Sequence, residues 1–342
     1  MAHTVRTLVF DKTGSALAEI VPEYTSVAWR LNNVGMAKFK MSYADSKCTP
    51  EILASGNRIL ISFENGLPDF GGVIDYPRKR TLDGVEVTAY TAEKLLDWRV
   101  TAQAQYFTTE TAGEVFRGLI NAENAVRPTG IQVGSIETLG TPRTLEYHYH
   151  DLLKRVKDLA KLTGQDFHIS SAYASGNLQF TANWYQQRGE NRSGRVYLIE
   201  DMNVAKVVLD EQGVIANRII LVGAGQTWGD ERLVSIITDA TSEASYGYRE
   251  WASVQSGVTE ETTLDANADE VLSEYKNPRL KFSLDVLGLD PADFSDYGVG
   301  DIVTLQAFLL KTAWAYEGTV RVMARQWNPD NVCRLEVEEW AS

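Results

Sequence analysis

The first 92 residues alternate between short apolar runs and turn residues. Six runs, rich in β-branched and aromatic residues, are separated by turn signals such as Lys12-Thr13-Gly14, Asn32-Asn33, Asn65-Gly66 and Asp83-Gly84. From Val85 to Ala89, apolar residues occupy every second position, which is the period of a half-buried strand. Many short strands close together predict a small β-barrel or sandwich.

Residues 93–190 follow a different pattern, in which two segments have helical periodicity. One begins at Thr111, with Glu114 three residues later in a capping-box arrangement. The other covers 150–164 and ends at Gly164, as helices often do. Strand-like runs lie between the two segments at 143–149 and after them at 166–172 and 177–184. This segment therefore predicts a compact α+β unit within a β-rich chain.

Strand patterns resume near residue 195 and continue to the end of the chain. One helical segment interrupts them, from Leu264 to Lys276, and Asn277-Pro278 terminates it. The last four strand-like runs resemble those at the N-terminus in length and in alternation.

The two ends of the chain share an arrangement of glycines and strands. The corresponding positions are Gly56-Asn57 with Gly300-Asp301, Gly72 with Gly318, and Val85 with Val332. In each set a turn precedes an alternating strand, a glycine opens the next strand, and valine opens the third. Either a duplicated barrel or chance agreement between two ordinary β-meanders accounts for the pattern, and we adopt duplication.

The predicted fold is a β-rich α+β fold with two similar tube-like β-barrel domains, an inserted α+β domain and a small helical insertion. The expected boundaries are 1–95 for the first barrel, 96–192 for the α+β domain and 193–342 for the second barrel. The helical insertion is expected around 242–277 within the second barrel.

Charge and cysteine content narrow the functional classes. The 342 residues include 33 Lys and Arg against 46 Asp and Glu, a net charge of −13, without a basic cluster that would grip nucleic acid. An acidic channel wall instead favours the passage of a polyanion. Cys48 and Cys333 are too few for a disulfide framework, and we expect both to be free. No apolar run reaches the roughly 18 residues of a membrane-spanning helix.

A glycine-rich turn is the main hint of a cofactor. The apolar run Arg218–Val222 leads into Gly223-Ala224-Gly225, as in a dinucleotide-binding turn. Such a turn needs a helix after the glycines, whereas 231–238 alternates like a strand. The acidic Asp230 and Glu231 would also repel a phosphate. We therefore expect a hairpin of the second barrel, and no cofactor.

The histidines provide one candidate metal site. His148 and His150 would project from one side of a predicted strand, with Asp151 beside them and His168 on a later strand. Imidazoles and a carboxylate are zinc ligands. The same pattern arises when a strand ends beside a helix and its histidines are partly exposed, which is the interpretation that we adopt.

The sequence offers few candidate catalytic residues. The pairs Glu200-Asp201 and Glu338-Glu339 are adjacent in predicted strands, where neighbouring side chains point to opposite faces. No Gly-x-Ser-x-Gly motif or Cys–His pairing is present. We therefore predict no catalytic, cofactor-binding or metal-binding residues.

The densest aromatic cluster lies between residues 246 and 251. Tyr246, Tyr248, Arg249 and Trp251 are the candidate intersubunit contact, because aromatic and arginine side chains are enriched at interfaces. Packing of a loop over a barrel end, or contact with a glycan, are the alternatives.

The sequence resembles the central hub proteins of phage tails and baseplates, a family also found in contractile injection systems. In the N-terminal half the resemblance lies in "GNRILISFENGLPDFGGVIDYPRKR" and "GVEVTAYTAEKLLDWRV". In the C-terminal half it lies in "NRIILVGAGQ", "SYGYRE", "EVLSEYKNPRLKFSLDVLG" and "YGVGDIVTL". The resemblance implies a homotrimer whose six barrels form a pseudo-sixfold ring around a central channel.

The same resemblance implies the partners and the location. A tail tube protein or distal tail protein would lie above the ring, and a tip, spike or fibre protein below it. Tape-measure protein and DNA would pass through the channel without specific binding. The protein would be part of the virion tail tip or baseplate, assembled in the cytoplasm of a bacterial host.

The resemblance implies a structural protein rather than an enzyme. The alternative is a cell-wall enzyme acting on peptidoglycan or another glycan, or a carbohydrate-binding module of a tail. An enzyme of this kind needs convergent acidic side chains or a nucleophile, and the sequence predicts neither. The binding module accounts for the eight tryptophans but not for the repeat.

Overall fold

The computed structural model describes residues 5–101, 104–212, 215–225, 232–308, 315–330 and 332–340. The N-terminal strands form the first barrel, whose antiparallel order is β3-β4-β7-β6-β5-β1-β2. Its elements are β1 (Val5–Phe10), β2 (Ala16–Ile20), β3 (Glu23–Arg30), β4 (Met36–Ser42), β5 (Arg58–Phe63), β6 (Phe70–Arg80) and β7 (Gly84–Thr91). All six predicted strands are confirmed, and β2 is an additional edge strand.

Three strands of the first barrel are buried on both faces. Along β5, Ile59 and Ile61 face the barrel core, whereas Leu60 between them joins the core of the next unit. In the same way, Phe10 of β1 and Val73 of β6 belong to the core of that next unit. Because successive residues of a strand point to opposite faces, these strands read as continuous apolar runs.

The α+β unit covers this outer face. Its elements are α1 (Lys94–Asp97), β8 (Gln105–Glu110), α2 (Ala112–Val126), β9 (Ile131–Ile136), β10 (Arg143–Tyr147), α3 (Leu152–Thr163), β11 (Asp166–Ala174) and β12 (Asn177–Tyr185). The predicted capping box of Thr111 and Glu114 is confirmed at α2. Gly164 ends α3 in the left-handed conformation, with φ of 63°, as predicted.

The remaining strands and helices form the second barrel and an inserted unit. They are β13 (Tyr197–Ile199), β14 (Val204–Gln212), β15 (Arg218–Val222), β16 (Val234–Thr238), α4 (Ala240–Tyr246), β17 (Glu250–Val254), α5 (Glu261–Tyr275), β18 (Arg279–Val286), β19 (Ile302–Ala307), β20 (Tyr316–Trp327) and β21 (Cys333–Glu339). The second barrel contains β13, β14 and β18 to β21, around an apolar core of its own.

The inserted unit contains more than helices. Strands β16, β15 and β17 form a separate three-stranded sheet, and α5 packs on one face of it. The prediction that β15 and β16 belong to the second barrel was therefore wrong. The hairpin itself is correct, because β15 and β16 pair antiparallel from Arg218–Thr238 to Val222–Val234. Asp230 and Glu231 lie outside the described residues.

Candidate functional site

The two barrels meet in one continuous sheet. Thirteen of the described strands belong to it, and the contact between barrels is the antiparallel pairing of the end of β20 with β3. In this pairing Trp327 lies opposite Val27, and Gln326 lies opposite Ala28. Leu31 extends the contact by donating its backbone N–H to the Met323 carbonyl at 2.8 Å. The barrels are thus joined through the main chain.

The barrels share a strand order. The first contains β3-β4-β7-β6-β5 and the second contains β14-β18-β21-β20-β19, each with the same antiparallel pairings. A short turn connects β3 to β4, whereas the inserted unit stands between the equivalent β14 and β18. The structure therefore contains the same five-stranded arrangement twice.

The glycine at the head of each arrangement has the same geometry. Gly56 has φ of +89° and donates its N–H to Ile74 O at 2.8 Å, and Ile74 donates to Asn57 O at 2.8 Å. Gly300, with φ of +99°, donates to Val322 O at 2.8 Å, and Val322 donates to Asp301 O at 2.9 Å. The predicted match of Gly56-Asn57 with Gly300-Asp301 is therefore correct.

The other two predicted matches are shifted. Because Ile74 is equivalent to Val322, Gly72 corresponds to Val320 and not to Gly318. In the third strand Val85 lies opposite Arg80, and Cys333 lies opposite Trp327. Val85 is thus equivalent to Cys333 and not to Val332. The loops differ in length between the two barrels, and spacing along the sequence does not correct for that.

Substitution of Gly300 by alanine should destabilise the fold more than the same substitution at Gly56. Both positions impose a positive φ, which costs alanine about 1–2 kcal/mol. A Cβ at Gly300 would also lie 2.6 Å from the Arg188 carbonyl oxygen, whereas at Gly56 the nearest atom is the flexible Lys12 Cε at 3.2 Å. We expect Gly300→Ala to cost about 1–3 kcal/mol more in denaturant unfolding. Equal losses would contradict this packing.

An arginine in each barrel holds the loop that precedes β5 in the first barrel and the equivalent β19 in the second. Arg325 is fully buried and donates to the carbonyls of Tyr297 at 2.8 Å and Phe294 at 2.9 Å. The equivalent Arg78 donates to the Leu53 carbonyl. Because a guanidinium presents several donors in a fixed fork, it can hold backbone carbonyls in both barrels.

A buried ion pair connects three parts of the molecule. Asp166 of the α+β unit accepts from Arg321 of the second barrel, and their side chains are 1% and 7% exposed. The same carboxylate accepts from Asn32 Nδ2 of the first barrel at 2.8 Å and from the Arg188 backbone N–H at 2.7 Å. Arg321 also donates to the Gly300 carbonyl at 3.1 Å. These contacts fix the relative positions of both barrels and the α+β unit.

The sequence did not identify this junction. Asp166 and Arg321 are separated by 155 positions, and neither belongs to a motif. Each is a charged residue within a strand-like run, and exposed strand faces show the same pattern. The residues that join the three units were therefore missed.

A cleft of about 550 Å³ lies between the α+β unit and the inserted unit. Burial raises the pKa of Glu270 in its wall, although Arg143 counteracts part of this rise. Burial also lowers the pKa of His150, and the charge of Arg155 lowers it further. Despite burial, Glu274 and Tyr275 raise the pKa of Lys161 on the same wall, so the cleft contains both neutral and charged side chains. Trp251 of the predicted contact also lies in its lining.

The structure does not bring the candidate zinc ligands together. His148 and His150 follow the end of β10 in a bend, where the His148 N–H donates to His150 Nδ1 at 3.1 Å. The prediction that both lie on a strand was wrong, because β10 ends at Tyr147. His168 contacts the buried Glu93 at 2.9 Å. Among the described residues no group of three His, Cys, Asp or Glu side chains could hold a metal ion.

The two acidic pairs lie in ordinary structural contacts. Glu200 accepts a hydrogen bond from the Phe308 backbone N–H at 2.6 Å. Asp201 is in a turn with φ of +66°. Glu338 pairs with Lys281 at 2.7 Å, and Glu339 is exposed.

The four residues of the predicted intersubunit contact lie on α4, the following turn and β17. Tyr248 is 54% exposed, accepts a hydrogen bond from Arg218 at 2.6 Å and donates one to Glu250 at 2.7 Å. Arg249 is exposed, whereas Tyr246 is half-buried. Trp251 is half-buried against Tyr275, with ring centroids 5.4 Å apart. Only Tyr248 and Arg249 are thus available for an extended contact, and their role stays a prediction.

No family model matches the sequence, and no functionally curated protein matches it. Solved structures do match. The tail protein from Neisseria meningitidis MC58 has a TM-score of 0.65 at 11% identity, covering 99% of this chain and 97% of that chain. The prophage tail protein gp18 from Listeria monocytogenes EGD-e has a TM-score of 0.63 at 12% identity, covering 97% and 94%.

This chain has the fold of phage tail proteins. A further solved structure, of the E. coli c3393 protein, a component of the type VI secretion system, has a TM-score of 0.56 at 11% identity over 94% of this chain and 75% of that chain. Because the matches extend over nearly the whole chain, the tail-protein fold includes both barrels and the units between them. The predicted β-rich α+β fold and the resemblance of this fold to phage tail proteins are thus confirmed. No helix within the described residues has the length and apolar character needed to span a membrane.

Proposed function

We propose that this protein is the structural hub of a phage-type tail, a homotrimer that adapts a sixfold tail tube to a threefold tip around a central channel. The duplicated strand order within one chain carries this proposal. Three copies present six similar barrels to a sixfold tube, while the α+β and inserted units occur once per chain and keep threefold symmetry. The tail-protein fold supports the same assignment.

The proposed partners follow from that position. A tail tube or distal tail protein binds above the ring, and a tip, spike or fibre protein binds below it. Tape-measure protein and DNA pass through the channel without specific binding, for which the net charge of −13 is suitable. The protein acts in the virion tail tip or baseplate after assembly in the cytoplasm of the host.

We further propose the domain division at 1–95, 96–192 and 193–342, with Tyr248 and Arg249 contacting a neighbouring subunit. The apolar clusters of the first barrel, the α+β unit and the second barrel support the division, although Trp327 of the second barrel packs in the first cluster. The exposure of both side chains supports the contact.

Native mass spectrometry and electron microscopy of the purified chain test the hub directly. We expect a trimeric ring with an open axial channel and six similar lobes on one face. Deletion of the gene should leave particles without tubes or tips. Normal tails after deletion would contradict the hub.

The alternative is a cell-wall enzyme or a carbohydrate-binding module, and the cleft that contains Glu270 is the observation in its favour. A carboxyl group with a raised pKa in a cleft suits a general acid. We propose a structural role instead, and expect no release of soluble fragments from peptidoglycan. Release that is lost in Glu270→Gln but kept in Glu274→Gln would establish the enzyme.

A further inference from the structure

A pocket of about 390 Å³ lies where the first barrel meets the α+β unit. It is lined by Arg58 of β5, by Thr13 in the turn between β1 and β2, and by the first residues of β9 and β12. Arg58 is only 8% exposed, and the accessible part of its side chain faces this pocket. A buried cation thus forms part of the pocket wall.

The protein itself uses few of the hydrogen-bond donors of Arg58. A guanidinium has five N–H donors, and Nη1 of Arg58 donates to the Leu178 carbonyl at 2.7 Å. The guanidinium carbon also lies 4.9 Å from the centroid of the Phe180 ring, a cation–π contact. Within the part of the chain that the structure describes, Arg58 forms no ion pair. Asp11 acts on it only through its charge, while Asp11 Oδ1 accepts from the Gly14 N–H at 2.9 Å.

The burial of this charge is costly without a counter-charge. Desolvation lowers the pKa of Arg58, and the charge of Asp11 reverses only part of this effect. Buried charges in proteins are normally paired for this reason. An anion in the pocket would supply the missing counter-charge, so the pocket favours an anionic ligand.

The second barrel shows that the strand does not require an arginine at this position. Because Gly56-Asn57 corresponds to Gly300-Asp301, Arg58 corresponds to Ile302, which is 3% exposed. An apolar side chain therefore fills the same place in the same strand order. Packing of the barrel does not account for the buried charge of Arg58.

Two glycines leave space beside the guanidinium. A Cβ at Gly130 would lie 2.6 Å from Nη2 of Arg58, and a Cβ at Gly14 would lie 3.1 Å from Nη1. Both glycines have a positive φ, of +80° and +104°. Because a larger side chain at Gly130 would block Nη2, this turn keeps the nitrogen open to the pocket.

We propose that this pocket binds a carboxylate, with Arg58 as its counter-charge and Gln132 and Gln179 as further donors. A guanidinium matches a planar carboxylate in shape and forms charge-assisted hydrogen bonds with it. A single cation suits a singly charged carboxylate better than a phosphate monoester, whose charge is about −1.5 to −2 at neutral pH. Gln132 and Gln179 are exposed and line the same pocket, and their amides can donate to carboxylate oxygens. The carboxylate belongs either to a free carboxylic acid or to an acidic residue of a polypeptide.

Saturation-transfer NMR on the full chain measures this binding with acetate as the probe. We expect Arg58→Met to weaken acetate binding by about tenfold or more, since it removes charge-assisted hydrogen bonds. The matched control is Arg6→Met, because Arg6 is exposed and already paired with Glu19 at 3.0 Å. It should leave acetate binding unchanged. Equal or undetectable binding in all three proteins would overturn the site, as would displacement of acetate by an equal concentration of chloride.

Gln132→Glu tests the site without removing Arg58. Gln132 is exposed, so a glutamate is tolerated there, and its carboxylate would occupy the guanidinium in place of the ligand. We expect acetate binding to weaken by about tenfold. The control is Ser135→Glu, which adds the same charge at an exposed residue of β9 outside the pocket lining. Equal weakening in both variants would show a general effect of charge and contradict the site.

Peptides distinguish the two sources of the carboxylate. The probes are a glycine peptide blocked at both ends with one central aspartate, and the same peptide with asparagine. Binding of the aspartate peptide about tenfold tighter than acetate, with none by the asparagine peptide, assigns the pocket to an acidic residue of a polypeptide. An aspartate peptide that binds no more tightly than acetate assigns it to a free carboxylic acid. Neither result depends on trimer formation, so the site and the hub are tested separately.

Discussion

Replacing Trp327 with alanine is expected to lower the free energy of unfolding by about 3–5 kcal/mol. Trp327 lies on β20 of the second barrel, but its side chain is 6% exposed within the core of the first. Its ring centroid is 5.1 Å from that of Phe63 and 6.1 Å from that of Tyr24. Alanine would leave a cavity between these rings, because the surrounding sheet can collapse only in part.

The loss of stability in Trp327→Ala should be concentrated in the first barrel. Hydrogen exchange should show that β3 and β4 lose protection before β14 and β18, although the substitution lies in the second barrel. The control is Trp98→Ala, since Trp98 is 41% exposed and contributes a hydrogen bond to Asp75 at 3.1 Å. That change should cost about 0.5–1.5 kcal/mol. Equal loss of protection in both barrels would show that Trp327 does not belong to the first core.

Local signals in the sequence account for most of the individual elements. The helix that begins after Thr111 was predicted from its capping box, and the end of the next helix was predicted from Gly164. Both signals depend on hydrogen bonds within a few residues, so they remain valid without knowledge of the fold. The alternation of apolar residues also predicted β7 correctly, because one face of that strand lies in the core.

Elements without a local signal were missed or misplaced. The edge strand β2 has a mostly exposed pattern, and β17 presents alternately exposed and half-buried residues without a buried stripe. The strand predicted through His150 ends at Tyr147, because Tyr149 adopts a positive φ of 51° that nothing in the sequence specifies. The apolar run of β15 fits a barrel as well as a small separate sheet.

The candidate site depends on contacts between distant parts of the chain. The duplication is visible in the sequence as a pattern of glycines and strands, whereas the trimeric ring is implied by the family resemblance. The pairing of β20 with β3 was not visible, because it joins strands nearly 300 positions apart. Periodicity identifies which residues are buried, but not which strand lies beside them.

Replacing Asp166 with alanine is expected to lower the free energy of unfolding by about 3–5 kcal/mol, because it leaves the buried Arg321 without its counter-charge. Asn32 and the Arg188 N–H lose an acceptor at the same time. Since these contacts join three units, we also expect denaturant transitions followed by fluorescence and by circular dichroism to separate. In the wild type they should coincide.

Two comparisons decide whether the charge causes this loss. Glu19→Ala breaks the exposed pair with Arg6 at 3.0 Å and should cost no more than about 1 kcal/mol. Asp166→Leu combined with Arg321→Met removes both charges and should recover most of the stability, because a buried ion pair is costly to desolvate and apolar side chains of similar volume can replace it. If the double variant is as unstable as Asp166→Ala, the loss comes from the hydrogen bonds to Asn32 and Arg188 rather than from the unpaired charge.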